Sequence, residues 1–268
     1  MVLLVYRFAL QVVILSGWVR SPYDTPVYNT SLMKRMIILR YERGVRGSIP
    51  LGRTSKTTMI KTDEEAWIKY PSHRDWFNKL WTSERFGHAC GPAGIEVPKS
   101  GTYIVRPIYN LYGMGANATF QFLTKEDKDS LTPGHFWCEV FEGDHLSIEL
   151  NWNKTRWIPH SIFQGHHAND NEIFRFSKWN KVHRDVIIPT LLDVLCDCGS
   201  INVEMIGDKV IEVHLRGSPD PIEYNEFIPV WSDTSEIVLN RYRDTHKFIE
   251  SRDHVFGMNV SRLGFFVL

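Results

Sequence analysis

Residues 201–217 read INVEMIGDKVIEVHLRG, and the fold turns on how they pair. Ile201, Val203 and Met205 alternate with Asn202 and Glu204. Beyond a Gly207-Asp208 turn signal, Ile211, Val213 and Leu215 alternate with Glu212 and His214. Alternation with period two on both sides of a turn predicts a β-hairpin with one apolar face. A two-residue loop at Gly207-Asp208 would pair Glu204 with Ile211 and send the two glutamates to opposite faces. A three-residue loop over residues 207–209 pairs Glu204 with Glu212, sets Asn202 and His214 beside them, and leaves the apolar residues on the other side. The second register is expected, because it alone separates oil from charge.

Carboxylates facing each other across two strands repel unless a cation lies between them. Oxygen donors with few other protein ligands suit Mg²⁺, which keeps waters and completes its shell from substrate phosphates. Glu204 and Glu212 are therefore candidate ligands of a metal–nucleotide site. The competing reading is a solvated hairpin face carrying two unrelated glutamates.

Working outward, 268 residues with 43% hydrophobic content can bury one substantial core, or one core and an appendage. The net charge is zero, but residues 1–58 carry +7 and the rest −7, so the acidic part offers no footprint for nucleic acid. Cys90, Cys138, Cys196 and Cys198 form neither a disulfide framework nor a CxxC zinc pattern. Reduced thiols and a cytoplasmic setting are expected, with Cys196 and Cys198 buried. The apolar run over residues 2–19 is interrupted by Arg7 and is too short to span a bilayer, so no membrane partner is expected. Gly47-Ser48-Ile49-Pro50 is what the T-arm consensus of a transfer RNA gene encodes. Residues 1–58 are accordingly read as a spurious translated extension with initiation at Met59, or as a disordered basic arm.

From Met59 onward, Ser72-His73-Arg74-Asp75 has the form of a capping box, and Trp76, Phe77, Leu80 and Trp81 share a helical face, predicting a helix that ends near Phe86-Gly87. Residues 102–108 read as a strand ending in Arg106-Pro107, followed by a loop containing Gly113 and Gly115. A cation before a glycine loop can hold a phosphate, although a tight turn beside a surface arginine gives the same pattern. Residues 135–150, which include WCEVFEGDHLSIEL, read as two strands about a Glu142-Gly143-Asp144 bend, another hairpin. Residues 187–198 predict a short helix with Pro189 in its first turn and Gly199 ending it. The tail beyond Pro221 adds edge strands or a helix to the same body.

Taken in order, the strand ending in Arg106-Pro107 with its glycine loop, WCEVFEGDHLSIEL, and INVEMIGDKVIEVHLRG resemble the ATP-grasp superfamily over about residues 101–220. That resemblance implies an α+β fold in which two β-rich subdomains with flanking helices sandwich a nucleotide. It implies a domain over residues 59–268: a lid at about 101–150, a metal-site subdomain at about 151–220, and a C-terminal extension at 221–268. Arg106 stands where the family has a phosphate-binding lysine, and Gly113 and Gly115 belong to the loop over the triphosphate. Glu139, Val140 and Phe141 fall on the hinge beside adenine, and His145 falls where a ribose-binding glutamate is common. Glu204 matches the first metal carboxylate and Glu212 the one that typically bridges two Mg²⁺. His214 replaces a metal-binding asparagine, a change Mn²⁺ tolerates better than Mg²⁺. Arg216 matches the arginine beside the phosphates and acyl substrate. Phe174-Arg175-Phe176-Ser177-Lys178-Trp179 is similar, more loosely, to the family's F-Y-D-Y-x-x-K-Y stretch.

The implied activity is ATP-dependent ligation. A small-molecule or peptide carboxylate is activated as an acylphosphate and captured by an amine or another nucleophile, with ATP and Mg²⁺ or Mn²⁺ bound and Arg106 and Arg216 steadying the transferring group. About 40 residues separate Met59 from the first motif, which is shorter than the N-terminal domain the family usually carries. A nucleotide-binding module that has lost turnover is the alternative. A third reading, a non-haem iron oxygenase, draws on His160, His166, His167 and His183, but the segment has no HxD motif.

Overall fold

The computed structural model describes residues 60–268 except 61, 112–114, 116, 169–172, 174 and 255–259. The readings of residues 1–58, of Met59 as the start, of Gly113 and of Phe174 lie outside the described residues.

Helix α1 (Asp63–Lys69) begins where Thr62 Oγ1 accepts from the Glu65 amide at 3.2 Å, and its first turn is acidic, as a helix N-terminus favours. A 3-10 segment, Pro71–Phe77, leads to α2 (Lys79–Arg85). The single helix expected from a cap at Ser72 is therefore split. His73 leaves helical geometry at φ −112°, and Asn78, whose side chain accepts from the Trp81 amide at 2.9 Å, caps α2 instead.

Strands β1 (Cys90–Pro92), β2 (Gly101–Pro107), β3 (Thr119–Leu123) and β4 (His135–Glu139) form an antiparallel sheet in the order β1-β4-β2-β3. A second antiparallel sheet takes β5 (His145–Trp152), β6 (Trp157–His167), β7 (Phe176–Lys181), β8 (Ser200–Ile206), β9 (Lys209–His214), β10 (Glu226–Trp231), β11 (Lys247–His254) and β12 (Ser261–Val267) in the order β11-β12-β10-β7-β6-β5-β8-β9. A 3-10 segment, Thr190–Cys198, precedes β8 and stops at Gly199 (φ 74°), and α3 (Ser235–Tyr242) joins β10 to β11. Two antiparallel sheets with few helices give the α+β architecture expected.

Residues 135–150 are not a hairpin. β4 pairs with β1 and β2, whereas β5 pairs with β6 and β8, so the bend carries the chain from one sheet to the other. The lid limit expected near residue 150 accordingly falls inside β5, a strand of the large sheet. The bend is held by back-to-back glycines. A Cβ on Gly143 (φ 120°) would lie 2.8 Å from Gly207 Cα, and the Gly207 amide donates to the Asp144 carbonyl at 2.9 Å.

The β8–β9 hairpin pairs Glu204 with Glu212, Val203 with Val213 and Asn202 with His214, as the separation of oil from charge requires. The turn differs from the three-residue loop. Ile206 pairs with Lys209 and Met205 with Val210, leaving a two-residue Gly207-Asp208 turn, and the odd residue is absorbed as a bulge at Ile211. Ile201, Val203, Met205, Val210, Val213 and Leu215 enter the main core with Leu146, Ile148 and Leu150 of β5, while Ile211 turns the other way.

Candidate functional site

The two sheets face each other across a cavity of about 250 Å³. The small sheet contributes Ile104, Arg106 and Phe120, and the crossover contributes Glu139, Val140 and Phe141. The large sheet contributes His145, Glu204, Ile211 and Glu212, and Gly115 (φ 58°) also lies on the wall. Residues that the sequence placed on a hinge, a phosphate strand and a metal hairpin thus share one cavity. Glu139 is fixed by accepting from the Ala89 amide at 2.8 Å, and the Phe141 ring packs 4.6 Å from that of His88.

Arg106 is 7% exposed and lies 5.2 Å over the Phe136 ring. One terminal nitrogen donates to the Ile211 carbonyl at 3.1 Å, so the bulged residue supplies an acceptor, and reaches Ser83 Oγ at 3.4 Å. Its Nε is buried without a partner. The guanidinium is a cation anchored from behind, and the cavity wall is where it can meet an anion.

Beyond Arg106, oxygen and nitrogen donors of Glu204, Glu212 and His214 lie within 4.8 Å of one another. His214 Nε2 is 3.7 Å from a Glu204 oxygen and 3.9 Å from a Glu212 oxygen. His145 Nε2 lies 3.4 Å from the other Glu204 oxygen, and its ring packs against His167, Phe176 and Trp179. The position expected as a ribose contact therefore braces Glu204. Two carboxylates and an imidazole converging at this spacing are a fit donor set for a divalent ion.

Three residues missed in the sequence complete the site. Lys79 of α2, 6% exposed, puts Nζ 2.5 Å from Glu212 Oε1. Asp63 of α1, 3% exposed, lies 3.1 and 3.2 Å from His214 Nδ1 and 3.0 Å from Arg216 Nε and Nη2. Glu149 of β5 accepts from Asn202 Nδ2 at 2.6 Å and from the Ser218 amide at 2.9 Å. Only Glu149 had a signal, because His145, Ser147 and Glu149 alternate with Leu146, Ile148 and Leu150 on the face Glu204 shares. Arg216 clamps Asp63 and is not among the residues lining the cavity, so the arginine expected beside the phosphates stands behind the Glu204–Glu212–His214 cluster, joined to it through Asp63.

The charges follow from this packing. Burial works against a charged His214, yet Asp63 and the hydrogen bonds outweigh it and carry the ring to about 10. Burial likewise opposes charge on Asp63, but His214 and Arg216 hold its carboxyl at about 2. Glu204 resists its own burial through bonds from His145 and His214 and sits well below the usual carboxylate range. Burial wins at Glu149, pushing it up to about 7 against the bonds from Asn202 and Ser218.

No protein-family model and no curated protein matches the chain. Among solved structures, N5-carboxyaminoimidazole synthetase from Staphylococcus aureus, in complex with ADP, matches with a TM-score of 0.50 at 10% identity, over 74% of this chain and 68% of that one. The chain has the ATP-grasp fold. An L-amino acid ligase from Bacillus licheniformis (16% identity, TM-score 0.38, 53% of this chain) and an ATP-grasp superfamily protein from Archaeoglobus fulgidus (14%, 0.38, 73%) are also similar. The chain spans 41% and 65% of the lengths of those two proteins.

Within this ATP-grasp fold the other expected sites are dispersed. His160, His166, His167 and His183 join no cluster that pairs two histidines with a carboxylate among the described residues, and Asn169 and Asp170 lie outside them. The four cysteines are free, but Cys196 is exposed where burial was expected, because the 3-10 segment turns it away from the face that buries Leu192 and Leu195. Among the described residues no helix is long and apolar enough to cross a membrane.

Proposed function

We propose that the chain is an ATP-dependent ligase that activates a small-molecule or peptide carboxylate as an acylphosphate for attack by an amine or another nucleophile. The observation that carries this reading is the cavity joining the Glu139–Phe141 hinge, the anchored cations Arg106 and Lys79, and the carboxylates Glu204 and Glu212, with the His214 ring close behind them. The hinge with Val140 and Phe141 suits a purine, and Arg106, on the cavity wall and anchored on the Ile211 carbonyl, suits a phosphate oxygen. Glu204, Glu212 and His214 would hold a divalent ion, Mg²⁺ or Mn²⁺, whose contribution is to neutralise phosphate charge.

The chemistry asked of the protein is positioning. A substrate carboxylate oxygen attacks the γ-phosphorus, the bond to the β-phosphate oxygen breaks, and ADP departs. The nucleophile then attacks the acyl carbon, phosphate leaves, and the amine's proton passes to solvent. Neither step needs a protein nucleophile, and anchored cations on the cavity wall favour the spreading charge of the transfer.

The test is a screen of amino acids, peptides and dicarboxylates for substrate-dependent phosphate release from ATP, with Mg²⁺ and then Mn²⁺. Release that needs both a carboxylate and a nucleophile supports the ligase. A second reading, a nucleotide-binding module without turnover, is favoured by the capture of Arg216 on Asp63 behind the cavity. Thermal stabilisation by ATP and metal with no ADP formed under any substrate would establish that reading over the ligase.

A further inference from the structure

His214 stands where the sequence resemblance calls for an asparagine, and the structure gives the exchange a direction. An asparagine offers a metal its carbonyl oxygen, whereas an imidazole offers one of two nitrogens, and which one is set by the partner of the other. Here Nδ1 lies 3.1 and 3.2 Å from the Asp63 carboxylate oxygens, so a ring with one proton keeps it on Nδ1 as the donor to Asp63. Nε2 faces Glu204 and Glu212 at 3.7 and 3.9 Å, and it offers its lone pair to an ion there once its own proton has left. Asp63 has no way to swing aside, being 3% exposed and held at 3.0 Å by Arg216 Nε and Nη2. A carboxylate is thus buried on the far side of an imidazole whose near side faces two more carboxylates.

We infer that Asp63 is a positioning residue that fixes His214 with Nε2 toward the glutamates, and that this two-carboxylate, one-imidazole donor set makes Mn²⁺ rather than Mg²⁺ the preferred ion of the site. The inference rests on reading the cavity as a metal–nucleotide site. Mg²⁺ demands oxygen donors and gives up water reluctantly, while Mn²⁺, of equal charge, accepts an imidazole nitrogen. Balance is simple: an ion reaching Nε2 displaces whatever proton that nitrogen carries to solvent, and the Nδ1 proton stays on the bond to Asp63. Lys79, on Glu212, is the other cation at the cluster, and it leaves Glu204 to the two histidines.

The experiment uses the full chain with the β,γ-methylene analogue of ATP, which adds no nitrogen near the metal. Mn²⁺ binding is read from loss of the free-ion electron paramagnetic resonance signal, and Mg²⁺ by competition. The wild type is expected to prefer Mn²⁺ and to show ¹⁴N modulation in the electron spin echo. His214→Asn should abolish the modulation and lower the Mn²⁺-to-Mg²⁺ affinity ratio about tenfold, and Asp63→Asn should weaken Mn²⁺ about 10- to 100-fold. Should Asp63→Asn fail to fold, the wild type loaded with diamagnetic Cd²⁺ decides the matter. Long-range ¹H–¹⁵N correlation must find the His214 proton on Nδ1, and a proton on Nε2 overturns the role of Asp63. Bound Mn²⁺ without ¹⁴N modulation, or an unchanged ratio in His214→Asn, overturns the metal preference and leaves the nucleotide reading standing. Failure of the analogue to bind with either ion overturns the nucleotide reading itself.

Discussion

The two faces of β5, β8 and β9 are made of opposite materials, and the part of the polar face around Asp63 is nearly as hidden from water as the apolar one. One face carries Leu146, Ile148, Leu150, Ile201, Val203 and Val213, all 2% exposed or less. The other carries Glu149, Asn202 and His214 at 4, 2 and 6%, with Asp63 packed on it at 3%. The apolar face needs no further account, since burial of hydrocarbon drives folding. The polar face opposes folding unless every charge is paired, and hydrocarbons of similar volume would often fold as well or better. Its retention agrees with the binding site proposed for it, and the pairing of Asp63 with His214 and Arg216, Lys79 with Glu212, and Asn202 with Glu149 is what lets it persist.

Substitutions on the two faces should therefore separate stability from binding. The largest effect is expected from Leu146→Ala on the apolar face, which should cost about 2–5 kcal/mol in urea unfolding while leaving nucleotide affinity of the folded protein unchanged. A loss of affinity with intact folding would break the division between the faces. Next, Glu212→Gln should weaken metal–nucleotide binding about tenfold or more by titration calorimetry, roughly 1.4 kcal/mol, because one oxygen anion of the cluster is gone. Unchanged binding would remove the hairpin from the site.

The pH dependence of stability sharpens the same contrast, and the polar face should supply most of it. Glu149 is raised to about 7 from 4.5, so its contribution is complete below 4.5 and is lost as pH rises through 7. His214 is raised to about 10 from 6.5, so its contribution holds below 6.5 and is lost as pH climbs toward 10. Asp63, lowered to about 2 from 3.8, acts in the other sense, stabilising above 3.8 and failing as pH falls toward 2. Urea midpoints should peak near pH 4–5 and fall on both sides, and a profile rising from pH 5 to 9 would contradict these assignments. The smallest effect is expected from Glu149→Gln. It keeps an acceptor for Asn202 and Ser218, should flatten the slope between pH 4.5 and 7, and should raise stability at pH 8 by about 1 kcal/mol.

Particular residues show how far the sequence was legible. Glu204 opposite Glu212 follows from alternation, whereas the turn does not, because a bulge at Ile211 and a three-residue loop shift register by the same one residue. WCEVFEGDHLSIEL was read as a hairpin because two strands about a Gly143 bend look alike whether they pair or part. The Gly143–Gly207 contact that parts them joins positions 64 residues apart. Glu149 could have been found, being polar in phase with Ser147 and His145. Asp63 and Lys79 could not, since nothing in Thr62-Asp63-Glu64-Glu65 or Asn78-Lys79 distinguishes a buried charge from an exposed helix start.

Period-two alternation is written into the chain because a strand's successive side chains point to opposite faces, so the sequence alone determined that two acids of the hairpin meet on one surface and, Ile211 at the bulge apart, which residues share it. Which charges answer that surface was decided only when α2 brought Lys79 to Glu212 and α1 brought Asp63 to His214. Asp63 meets His214 across 151 residues, and that convergence depends on the summed burial of distant elements, which no local pattern encodes.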